Sequence, residues 1–166
     1  MRRRPLLIAL WMASLLWFAA MAAFVACRLG PQGATPLPDA SLTGHSVDSL
    51  TAWAAGMTEA GRALFLGPYR LMDTVFPLLL ALTLAVTGGR RRWWLGALAG
   101  AYALLDLAEN ASIAAILRAA PALPDADQVA RASLLTIAKW AAVIPATGLG
   151  LWLLLTEPRG KTCASP

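Results

Sequence analysis

Four stretches of the chain are almost continuously apolar, and each is long enough to cross a membrane as a helix. A hydrocarbon core of about 30 Å requires about 20 helical residues, because the backbone polar groups must bond to one another inside the lipid. The segments between these stretches carry most of the charge and most of the proline. The pattern predicts transmembrane helices over residues 5–27, 69–86, 94–117 and 130–155.

The connection between the first two spans, residues 28–68, has two parts. Its first half contains Gly30-Pro31-Gln32-Gly33 and Pro36-Leu37-Pro38, which predict an irregular loop. Ser46 can cap a following helix, in which apolar residues recur at helical spacing: Leu50, Trp53, Ala54, Met57 and Leu64. This pattern predicts an amphipathic helix on the outer membrane surface, ending near Gly67-Pro68. The alternative is that the same helix packs over the mouth of the bundle as a plug.

Composition supports a membrane protein and argues against a soluble one. The 166 residues are 58% hydrophobic and 14% charged, whereas an average soluble domain has about 25% charged residues. The net charge of +5 comes from basic residues at the ends of apolar runs, so membrane lipids rather than nucleic acid are the expected partners. The sequence predicts an all-α polytopic membrane protein: a single domain over residues 1–166, built as a four-transmembrane-helix bundle with an outer interfacial amphipathic helix.

The distribution of basic residues predicts the orientation in the membrane. Eight lie at one end of the spans: Arg2, Arg3, Arg4, Arg90, Arg91, Arg92, Arg159 and Lys161. The five at the other end are interspersed with acidic residues: Arg28, Arg62, Arg70, Arg118 and Arg131. The positive-inside rule then places both termini in the cytoplasm, and we expect a bacterial inner membrane.

The first span has a second interpretation, as a secretory signal peptide. Arginines, an apolar run and small residues precede Cys27, and Phe24-Val25-Ala26-Cys27 resembles a lipoprotein cleavage site. However, the apolar run exceeds the usual signal core of about 7–15 residues. We therefore favour a retained span with an unmodified Cys27.

Four ionisable residues lie inside the predicted spans, where each costs about 2.5–3.5 kcal/mol at the centre of a helix. They are Asp73, Asp106, Glu109 and Lys139. In the third span, Tyr102, Asp106, Glu109 and Asn110 share one helical face, and in the fourth, Ser133, Thr136 and Lys139 recur every three residues. Glu109 and Lys139 lie at matching depth in antiparallel helices, so we expect them to form an ion pair.

The candidate site comprises seven residues: Asp73, Asp106, Glu109, Asn110, Lys139, Thr136 and Tyr102. Three interpretations remain open for it. It is a structural brace between helices, a pocket for a small polar or lipid-like ligand, or a proton or cation pathway. An enzyme acting on a lipid or isoprenoid would use Asp106 or Glu109 as acid or base, and a conductor would need oligomers. Three acids and one lysine give a formal charge of −2, which a shared proton or a bound cation would relieve.

Several other chemistries lack the residues they require. His45 is the only histidine and lies in the outer loop, so we expect no zinc or haem site, no metal and no cofactor. Cys27 and Cys163 are predicted on opposite membrane faces and form no Cys-x-x-Cys pair. The chain also lacks Gly-x-Ser-x-Gly, the motif of a serine nucleophile.

Beyond lipids, a second copy of the chain or another membrane protein is a candidate partner.

A set of motifs resembles an uncharacterised family of small four-helix bacterial integral membrane proteins. The motifs are Gly61-Arg62, Tyr69, Asp73 with Phe76-Pro77, Asp106 with Glu109-Asn110, Ser133, Thr136 and Lys139-Trp140. The resemblance covers residues 47–145. It implies the four-span fold and a site at the Asp-x-x-Glu-Asn segment, and it implies no reaction.

Overall fold

The computed structural model describes residues 3–156, which form helices and no strands. The helices are α1 (Arg3–Phe24), α2 (Val47–Gly56), α3 (Glu59–Leu64), α4 (Arg70–Gly88), α5 (Trp93–Ala119) and α6 (Ala126–Thr156). Arg2, Arg159, Lys161 and Cys163, to which the sequence assigned a membrane side, lie outside the described residues.

The predicted number of spanning helices is confirmed, in that four helices are long and apolar enough to cross a membrane. Each is longer than the predicted span, because helical turns continue at its ends. The four continuous helices are Arg4–Gln32, Glu59–Gly88, Arg90–Ala119 and Ala126–Thr156.

The predicted helix end near Gly67-Pro68 is wrong. The chain instead leaves the helix at Met57, which is extended, and Thr58 then caps α3 by accepting a hydrogen bond from the Gly61 amide. A π-helical turn, Phe65–Tyr69, joins α3 to α4 and contains Pro68. Proline has no N–H to donate, but the π-helical turn accommodates Pro68. The helix continues from Glu59 to Gly88 without interruption.

Helix α2 begins where the sequence predicted and buries its apolar face against the rest of the protein. Ser46 forms a capping box with Ser49, each side chain bonding the other's backbone amide. Leu50, Trp53 and Ala54 are buried, and the indole N–H of Trp53 donates to the carbonyl of Ala34 at 2.8 Å. This packing agrees with the plug alternative, and the position of α2 relative to a membrane surface stays a prediction.

Consecutive long helices pack antiparallel, α1 with α4, α4 with α5 and α5 with α6, and α4 also contacts α6, which runs in the same direction. On the α1 side, the Trp11 indole donates to the Thr87 hydroxyl at 3.1 Å, and the hydroxyls of Ser14 and Thr83 lie 3.0 Å apart. We call the end of the bundle that carries Arg90–Arg92 the arginine end. The opposite end carries residues 33–58 and is called the loop end.

Buried residues fall into three layers along the bundle. An apolar cluster at the arginine end includes Leu84 and Leu95, and another at the loop end includes Trp53 and Leu117. Between them, α4, α5 and α6 each contribute polar side chains at one level. We call this set the polar layer, and its members are Asp73, Asp106, Glu109, Asn110, Thr136 and Lys139.

Candidate functional site

Lys139 is the central cation of the polar layer. It is only 4% exposed, and its Nζ lies 3.1 Å from Oδ1 of Asp106 and also contacts Glu109. The predicted pairing of Lys139 with Glu109 is therefore present, and Lys139 additionally bridges to Asp106. One positive charge is shared between two carboxylates.

Helical spacing places the acids of α5 on the same side as Lys139. Asp106 and Asn110 are four residues apart, and the Asn110 amide donates to Asp106 Oδ2 at 3.1 Å. Glu109 lies on the adjoining turn and is fully buried. The predicted face of α5, which also includes buried Tyr102, points into the bundle.

A chain of hydrogen bonds runs from the loop into the polar layer through Thr136. The Thr136 hydroxyl donates toward Glu109 and the Ala132 carbonyl, both of which are acceptors only. His45 Nε2 lies 3.1 Å from the same hydroxyl. His45 is therefore linked through Thr136 to Glu109, and the tautomer of the ring decides which group donates in the contact between His45 and Thr136.

His45 is held in this position from its backbone as well as from its ring. The His45 amide donates to the Ser133 hydroxyl at 2.9 Å. Burial, followed by the charge of Lys139, lowers the pKa of His45 from its ordinary value of 6.5, while Asp39 opposes this shift. The lowered pKa favours the neutral ring at pH 7.

Asp39 is the second loop residue that reaches the polar layer. It lies in a single helical turn, Pro38–Ala40, and its Oδ2 accepts a hydrogen bond from the Tyr69 hydroxyl at 3.1 Å. The Trp140 indole donates to the Asp39 carbonyl, also at 3.1 Å. Asp39 is thus anchored both to α6 and to the helical turn that leads into α4, and its α6 partner, Trp140, directly follows Lys139.

Asp73 differs from the other acids of the layer. Its side chain is buried, yet within residues 3–156 it makes no hydrogen bond and no ion pair. Asp39, Asp106, Lys139 and Glu109 are the charged groups within electrostatic range of Asp73. None of them bonds to it, so Asp73 has no direct partner among the charged residues of the polar layer.

The structure buries all seven sequence-predicted residues. Five of them form one direct network: Asp106, Glu109, Asn110, Thr136 and Lys139. Asp73 and Tyr102 are outside this network, and Tyr102 packs in the apolar cluster of the arginine end.

Sequence reasoning missed the contribution of the loop. The sequence-predicted site includes no residue of the loop, whereas α6 holds His45 and Asp39 through Ser133, Thr136 and Trp140. The available signal was the presence of one histidine and one aspartate in an otherwise charge-free segment, 33–47. Their three-dimensional partners are about 90–100 residues away and could not be paired by spacing.

Within the described residues, no group of three or more His, Cys, Asp or Glu side chains is arranged to hold a metal ion. The arrangement instead offers carboxylates, hydroxyls, a neutral imidazole and one ammonium.

The resemblance to small four-helix bacterial membrane proteins stays a prediction. No protein-family model, curated protein or solved structure matches the chain.

Proposed function

We propose that the chain is an integral protein of a bacterial inner membrane, with both termini in the cytoplasm and the loop end outside. The four apolar helices support insertion. Large apolar side chains face outward from them, including Leu71, Leu104 and Leu134, as a lipid-facing surface requires. Arg90, Arg91 and Arg92 are exposed beside Trp93 and Trp94, which suits the positively charged cytoplasmic boundary.

The orientation is testable with reporters that are active only outside the cytoplasm. A fusion near Asp125, at the loop end, is expected to be active, and a fusion near Arg91 is expected to be inactive. The matched pair controls for expression because both sites are interhelical connections. Activity at Arg91 with silence at Asp125 would reverse the proposed orientation.

We further propose that the polar layer binds a small polar ligand near the loop end, in addition to bracing the helices. The observation that supports this proposal is Asp73, a carboxylate with 8% exposure and no partner in the described residues. A brace of Lys139, Asp106 and Glu109 is complete without it. A buried carboxyl group without a hydrogen-bond partner is costly whether it is ionised or protonated, so we infer a guest that supplies the missing contact.

The test is the effect of neutralising Asp73 on the protein without ligand. Asp73→Asn keeps the side-chain shape and removes the unpartnered charge, so the free energy of unfolding is expected to rise by about 0.5–2 kcal/mol. Asp106→Asn is the matched control, because it removes a charge that Lys139 compensates and is expected to be destabilising. Thermal unfolding in detergent measures both. Equal destabilisation by the two changes would make Asp73 part of the brace and refute the binding site.

A further inference from the structure

We propose that the guest carries a positively charged nitrogen, which binds between Asp39 of the loop and Asp73 of α4. The proposal rests on the binding function assigned to the polar layer and names its ligand class. It also makes the loop a part of the site rather than a cover over it.

The position of Asp39 leaves one of its oxygens available. Oδ2 accepts the hydrogen bond from Tyr69, and the backbone is fixed by Trp140. Oδ1 is buried and has no hydrogen-bond partner. A buried carboxylate oxygen without a donor is costly to maintain, and this one belongs to a side chain held in place from two helices.

Asp73 shares a helix face with Tyr69, the residue that binds Asp39. It follows Tyr69 by four residues in the continuous helix Glu59–Gly88, so both side chains project from the same face. Tyr69 therefore links the two carboxylates: its hydroxyl binds Asp39, and Asp73 follows it by one helical turn. Asp39 Oδ1 has no hydrogen-bond partner, and Asp73 makes no hydrogen bond or ion pair within residues 3–156.

Within residues 3–156, no cation forms an ion pair with Asp39 or Asp73. Lys139 is committed to Asp106 and Glu109. Arg70 lies one turn before Asp73 but makes no ion pair with either acid within residues 3–156. The pair thus presents a local negative charge that an added cation would balance.

The surroundings suit an ammonium group better than a divalent metal. Ca²⁺ and Mg²⁺ take about six or more oxygen ligands, and the described residues provide no cluster of three metal-ligating side chains. An ammonium group has three donors, which matches Asp39 Oδ1 and the two oxygens of Asp73. The buried Tyr69, whose hydroxyl binds Asp39, adds an aromatic ring beside the site, which favours an organic cation.

An ammonium group can come from a soluble amine or from an amino lipid, and two experiments distinguish these sources. The first measures the Tm of the full chain in detergent against methylammonium chloride, with sodium chloride at equal ionic strength. The second compares nanodiscs of phosphatidylethanolamine with nanodiscs of phosphatidylglycerol. Asp39→Asn and Asp73→Asn test the site, and Asp48→Asn, at an exposed carboxylate of α2, is the control.

A soluble amine is expected to raise the Tm of the wild type saturably, by about 2–4 °C. An amino lipid is expected to produce the same rise only in phosphatidylethanolamine. In either case both site variants lose the effect and Asp48→Asn keeps it. The amide oxygen introduced by Asp39→Asn would still accept the Tyr69 hydrogen bond, so the loop is expected to stay in place. A loss of the Tm response in that variant would then result from the missing carboxylate.

Three results would overturn the ammonium assignment. The first is an equal rise in Tm with sodium chloride. The second is a rise in Tm that both site variants retain. The third is a Tm that changes with pH but responds neither to methylammonium nor to phosphatidylethanolamine. The last would indicate a proton shared between the two acids. Because the stability of Asp73→Asn without ligand is measured separately, its rise alongside any of these results would preserve the binding site and reject only the ligand class.

Discussion

Replacing Lys139 by Met is expected to lower the free energy of unfolding by about 3–5 kcal/mol, the usual cost of removing one partner from a buried ion pair. Lys139 is 4% exposed and contacts both Asp106 and Glu109. Its removal leaves two carboxylates without a cation. Glu109→Gln is expected to cost less, because Lys139 keeps Asp106 as its partner.

The combined variants distinguish a charge effect from simple loss of packing. Lys139→Met with Glu109→Gln is expected to recover part of the lost stability, since one stranded carboxylate is removed. Adding Asp106→Asn is expected to recover more, because the structure shows that Lys139 serves two acids rather than the single partner inferred from depth alone.

Thermal unfolding in detergent is the measurement for this series. Arg131→Met is the control, because Arg131 is an exposed cation on the same helix and makes no ion pair within the described residues. It is expected to change stability little. If Lys139→Met and Glu109→Gln were both as stable as the wild type, the two side chains would not meet in the folded protein.

Much of the bundle could be predicted from the sequence, because helices that are long and apolar enough to cross a membrane have a distinctive composition. The four apolar runs gave the number of helices, and helical spacing gave the inward face of α5 with Asp106, Glu109 and Asn110. Counting residues from the helix ends was sufficient to match Glu109 with Lys139. These are local or one-dimensional properties, which a single sequence carries directly.

The helix boundaries and the loop could not be predicted in the same way. Pro68 looked like a helix end, but a π-helical turn accommodates it, and helix propensity alone does not anticipate such a turn. The conformation of residues 33–45 depends on hydrogen bonds to α6, as in the contact of His45 with Thr136. Because these contacts join distant parts of the chain, no local sequence pattern indicates that the loop contributes to the site.

The docking of the loop depends on a glycine, and Gly44→Ala is expected to release it. Gly44 has φ +83°, a backbone conformation that costs a residue with a side chain about 1–2 kcal/mol. A Cβ atom there would lie 2.0 Å from the Ser133 hydroxyl oxygen, the same atom that accepts the His45 amide. We expect a loss of about 1–3 kcal/mol in the free energy of unfolding and faster hydrogen exchange at the His45 amide.

The control for this change is Gly148→Ala in α6, where an added Cβ would meet nothing within 4 Å. Alanine favours a helix over glycine by about 1 kcal/mol, so this variant is expected to be as stable as the wild type or slightly more stable. Thermal unfolding and hydrogen exchange are measured on both. If the His45 amide stayed protected in Gly44→Ala and stability did not change, Gly44 would not lie against Ser133 as described, and the prediction would be wrong. Exposure of that amide with the four long helices still protected would instead show that Asp39 and His45 reach the polar layer only through this turn.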